Sequence, residues 1–127
     1  MIEELKEEHT IILNTLMNIK ELNINSKEYQ KVLLSARDNI LTHIKKEYKE
    51  LYPVLRKSAE FNSRLKEVFD AFEENMEELS KYTIDFFEYI FAEAGIEKEF
   101  ELERFIETHN TRMLREEAVL FSGCERV

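Results

Sequence analysis

Along one stretch of this 127-residue chain Leu65, Phe69, Phe72, Met76, Leu79, Thr83, Phe86 and Ile90 follow one another at alternating steps of four and three. That spacing returns to one side of an α-helix and to no side of a β-strand, so it demands a long amphipathic helix. Three further segments carry the same period. Residues 2 to 22 align Ile2, Leu5, Ile12, Leu16 and Ile19; a second helix aligns Leu33, Ala36, Ile40, Leu51 and Val54; a fourth, from Glu97 to Phe121, aligns Leu102, Ile106, Met113 and Leu120. The breaks fall at turn-forming residues. Asn23-Ile24-Asn25 ends the first helix, and Asn25 with Glu28 has the form of a capping box for the second, which exits near Arg56-Lys57-Ser58. Asn62 or Ser63 caps the third, and Gly95 ends it. Connections this short force sequential helices to be antiparallel, so the chain reads as all-α, one domain over 1–127, an up-down-up-down four-helix bundle. Two glycines and one proline leave no punctuation for a β-rich alternative.

Charge narrows the partners. With 27 acidic against 18 basic residues the chain carries −9, which repels phosphate backbones and anionic membrane surfaces alike. No nucleic acid and no membrane is therefore expected as a partner. A single cysteine, Cys124, excludes an intramolecular disulfide and a cysteine-rich metal cage. The opening Met1-Ile2-Glu3-Glu4 has no basic, apolar leader, and the sequence predicts a soluble, cytoplasmic protein.

The stripes are interrupted by polar residues at core positions. His9 lies between Leu5 and Ile12, His43 three after Ile40, and His109 between Ile106 and Met113; Glu47 stands one turn after His43, and Glu116 seven after His109. Buried imidazoles and carboxylates need partners. Two readings compensate them: a buried hydrogen-bonded network, or a cation held by imidazoles and carboxylates from different helices, the donor set of iron and, less distinctively, of manganese or zinc. Counting from the loop centres places the five side chains in a slab roughly 13 Å tall, with His9 and His109 at one end, His43 central, and Glu47 and Glu116 towards the other. On the third helix the same count selects the surroundings of Met76, where Glu77 or Glu73 can turn inward as a ligand or belong to a solvated acidic face. Tyr48 and Tyr82 stand as donors near the site or as packing at its border.

The segment His43-Ile44-Lys45-Lys46-Glu47-Tyr48-Lys49-Glu50-Leu51-Tyr52-Pro53 resembles the His-x-x-x-Glu stretch, closed by an aromatic residue and proline, of the hemerythrin-like HHE cation-binding domains. Glu8-His9 is similar to that family's opening helix, and His109 through Glu116-Glu117-Ala118-Val119-Leu120-Phe121 to its closing one. The resemblance runs through the whole chain. It implies a four-helix bundle with a non-heme di-iron centre that binds or senses dioxygen or a related small diatomic ligand, or an enzyme handling iron, peroxide or nitric oxide at the same centre. His9, His43, Glu47 and His109 match the family's positions. The third helix has no histidine, and Met113 and Leu114 stand where a carboxylate is expected, with Glu116 the nearest inward one. Two outcomes follow: a carboxylate-rich pair of ions if Glu77 or Glu73 and Glu116 complete the set, or a mononuclear or decayed, metal-free site in a helical interaction module if they do not.

Overall fold

A computed structural model describes residues 2–22, 26–92 and 97–121. Helix α1 spans Ile2–Glu21, α2 Lys27–Lys46, α3 Tyr52–Ala59, α4 Ser63–Ala92 and α5 Glu97–Arg115. One π-helical turn, Glu47–Leu51, joins α2 to α3 into a single rod, and a second, Glu116–Phe121, prolongs α5. The result is the all-α bundle of four rods that the periodicity predicts, with no strand among the described residues.

Contacts between rods fix their directions. Lys46, at the end of α2, reaches Glu4 and Glu8 at the start of α1; Arg56 of α3 pairs with Glu73 of α4; Thr83 of α4 meets His109 of α5; and Lys20, ending α1, lies 3.5 Å from Glu103 near the start of α5. Every neighbouring pair is antiparallel. Among the fully buried side chains are Leu5, Leu16, Leu33, Leu51, Phe69, Phe87, Phe105 and Phe121, each contributing about 1.5–3 kcal/mol by leaving water. No helix among the described residues is long and apolar enough to cross a membrane.

Two details depart from the sequence reading. The second helix is capped by Ser26, whose Oγ accepts from the Tyr29 amide at 3.1 Å, while Asn25 and Gly95 lie outside the described residues, as does Cys124. At the next boundary Asn62 is the cap, its Oδ1 accepting from the amides of Arg64 and Leu65. The second departure concerns Val54, expected inward, which is 39% exposed, whereas Tyr52, Leu55 and Ala59 are buried. The π turn explains it. An α-helix would bond the amide of residue 53 to the carbonyl of residue 49, but Pro53 has no amide and its ring clashes with that carbonyl. Widening the turn, with Tyr52 N–H donating to Glu47 O, relieves the clash and adds one residue, which rotates the following stripe from Val54 to Leu55.

Candidate metal centre

Helix α1 carries His9 between Leu5 and Ile12, and α2 carries His43 with Glu47 one turn later, so three inward polar groups come from two neighbouring rods. They meet. His9 Nε2 and His43 Nε2 are 3.0 Å apart, Glu47 Oε1 touches His43 Nε2 and lies 3.8 Å from His9 Nε2, and one donor atom of each falls within 4.8 Å of the others. A 3.0 Å separation is a hydrogen bond between the two rings, and it is also the distance between two nitrogens bonded to one cation at about 2.1 Å and at right angles, so the pair can accept an ion without rearranging.

What lies behind the rings sets which nitrogen is free. His43 Nδ1 is 2.8 Å from Glu8 Oε1, and Glu8 is itself held by Lys46 at 2.7 Å. A carboxylate accepts, so Nδ1 carries a proton and Nε2 is the nitrogen turned to the cluster, where it meets Glu47 or, once its own proton is lost, can bind a cation. His9 is held more loosely: its Nδ1 lies 3.4 Å from Glu117 Oε1 without a hydrogen bond of good geometry, and its ring stacks on Phe121 at 5.4 Å between centroids. Burial alone would lower the basicity of His43, but Glu47 and Glu8 outweigh it and raise the value.

Glu116, from the π turn after α5, faces Glu47 across the axis. Burial, the charge of Glu47 and their shared hydrogen bond push Glu116 well above the usual carboxylate range, with Arg112 opposing. Glu47 goes the other way: burial would raise it, yet its contacts with Glu116, His43 and His9 hold it well below. Both oxygens of Glu47 and Oε2 of Glu116 are sealed from solvent without a hydrogen bond of good geometry. Buried carboxylate oxygens in that condition are costly and suit a hard or borderline cation, so the residues present fit a transition metal.

His109 is placed differently. Its Nε2 lies 2.9 Å from Thr83 Oγ1, whose hydroxyl donates to Leu79 O, so the imidazole donates to Thr83 and stands outside the cluster of three. Burial, then the charges of His43 and Arg112, lower its value to about 4 and keep it neutral. It still lines, with His43, Glu47, Glu116, Met76 and Met113, a cavity of about 10 Å³, the room of a single water or ion. The expected heights need correcting. His9 is level with Glu117 and Phe121, not with His109, because the Lys20–Glu103 pair sets the start of α5 about five residues above the end of α1, roughly 7 Å.

Neither acidic candidate on α4 turns in. Glu77 is exposed and Glu73 pairs with Arg56, because the stripe gives the inward position at this level to Met76. Tyr48 is also largely exposed, and Tyr82 packs beside Phe105. Three functional groups escaped the sequence reading. Glu8 and Glu117 resemble solvated helix borders, and only their adjacency to inward ligands distinguishes them. Arg112, buried at 7% exposure, donates from Nη1 to Asn75 Oδ1 at 2.8 Å, from Nη2 to Phe72 O at 3.1 Å and to the Tyr52 hydroxyl at 3.4 Å, with Nε 3.6 Å from Glu116 Oε1. Its signal was position: three after one inward histidine and four before an inward glutamate.

Comparison with known proteins gives one family. The model of the hemerythrin HHE cation binding domain matches residues 1–123. No curated protein and no solved structure matches the chain.

Proposed function

Because the chain belongs to the hemerythrin HHE cation-binding domain family, we propose that it binds non-heme iron through His9, His43 and Glu47, with Glu116 as a further carboxylate, and uses that centre to bind or sense dioxygen or a related small diatomic ligand. The observation that supports this most is the meeting of two imidazole Nε2 atoms and a fully buried carboxylate in the interior, with His43 backed by Glu8 through a hydrogen bond and Glu117 near His9. Iron supplies, when bound, the affinity for such ligands and the capacity to change oxidation state. The chain's own groups do the rest. Glu8 orients His43, Phe121 covers His9, and the surrounding leucines, isoleucines and phenylalanines exclude bulk water.

A di-iron form would have to call on Glu116 and His109 beside His9, His43 and Glu47, and Arg112 and Thr83 already engage those two groups. Metal analysis of the full chain after iron supplementation, with the visible spectrum in and out of air, tests the proposal. Iron near one per chain or above, with an air-dependent spectrum, is expected. Less than one transition metal per chain refutes it, and preference for zinc or manganese in competition would assign a different ion. Peroxide consumption well above that of free iron would make the same centre an enzyme.

A further inference from the structure

Arg112 is the one described cation whose side chain faces the two inward carboxylates from the α4 side. Its guanidinium cannot lose its proton in a protein, so the charge is permanent. Nor is it free to move. Asn75, the Phe72 carbonyl and the Tyr52 hydroxyl take its Nη groups, the ring of Phe72 lies 4.4 Å beneath it, and Nε is left 3.6 Å from Glu116. The half of the centre on that side is poor in ligands: Met76 and Met113 offer thioethers, His109 is engaged by Thr83, and the free space is about 10 Å³. The opposite half brings His9 Nε2 and His43 Nε2 together, and among the described residues no lysine or arginine is paired with Glu47 there.

Resting on the metal-binding reading above, we infer that Arg112 provides from within the chain the second positive charge that the Glu47–Glu116 pair calls for, so that the site takes one divalent cation and not two. Arg112 is thereby the residue that sets the nuclearity of the centre. One face of the carboxylate pair is neutralised by a fixed guanidinium, the other is left for an exchangeable ion, and a second ion would have to enter beside a cation of like charge.

The test is an anaerobic titration of the chelator-stripped full chain with ferrous iron, counting retained iron per chain after desalting and recording its Mössbauer spectrum. Saturation at one iron, magnetically isolated, is expected. Saturation at two exchange-coupled irons overturns the inference and leaves the metal-binding reading intact; no uptake overturns both. In Arg112→Gln the like charge is gone, and either a second equivalent binds or the first binds about tenfold more tightly or better. Arg112→Lys, which keeps the charge, is expected to stay at one per chain. A folded Arg112→Gln with wild-type count and affinity overturns the inference, and should that variant lose its helical circular dichroism, the wild-type count still decides.

Discussion

Glu8 decides which nitrogen of His43 is available, and a group that acts only by orienting a ligand leaves a measurable trace. Replacing it with alanine frees the ring to rotate, and the affinity for ferrous iron is expected to fall by about 10–100-fold. Glu117→Ala should cost less, since its oxygen is 3.4 Å from His9 Nδ1 against 2.8 Å for the Glu8 contact. Unchanged binding isotherms for both variants would refute the orienting role. His109 gives a second prediction at this scale. Its folded value is lowered to about 4 by burial and by the charges of His43 and Arg112, from an ordinary 6.5. The unfolded chain therefore takes up this proton first, and stability is lost as pH falls from about 6.5 to about 4, by up to about 3 kcal/mol. His43 has the opposite sign: raised by Glu47 and Glu8 against its burial, its contribution is full below 6.5 and is lost as pH rises through its folded value. Urea melts of the metal-free protein across the acid window should show a steeper loss for wild type than for His109→Gln. The inward ligands were legible because a histidine at a core position contradicts its surroundings. Their partners were not, since a glutamate at a helix border looks the same whether it meets water or an imidazole.

The element that shapes the site is the π turn at Glu47–Leu51. Four apolar periods were readable, but the stripe expected to continue to Val54 continues instead to Leu55 and Ala59, because hydrophobic period carries no mark of one inserted residue. Pro53 was that mark. Deleting the exposed Lys49 restores α-helical counting, which still presents Leu51, Tyr52, Leu55 and Ala59 inward, but brings the proline ring against a carbonyl. The deletion alone is expected to cost about 3 kcal/mol, and the deletion combined with Pro53→Ala to recover most of it. Additive effects of the two changes in chemical denaturation would show that the proline is not what holds the turn open. The cap at Ser26, one residue beyond Asn25, is the smaller lesson: adjacent Asn and Ser offer equivalent acceptors, and local sequence does not choose between them.

For the molecule as a whole, the number of rods and their antiparallel order followed from period and loop length, whereas the relative heights did not. Counting from loop centres assumes them level, whereas the Lys20–Glu103 pair sets the start of α5 above the end of α1. Metal and fold are linked. An ion at a hundred times its dissociation constant adds about 2.7 kcal/mol, which for a chain of this length raises Tm by about 10 °C. Scanning calorimetry with and without ferrous iron should show that rise in wild type and its absence in His43→Ala; equal shifts in both would place the binding elsewhere. The three converging groups belong to the first two rods, and α4 offers none among the described residues. Loading is thus a clasp on the hairpin of α1 and α2, closed by Glu116 from the far end of α5, while the longest helix gives no ligand and serves as the spine that anchors Arg112. An emptied molecule can loosen at its leading edge and keep its back closed.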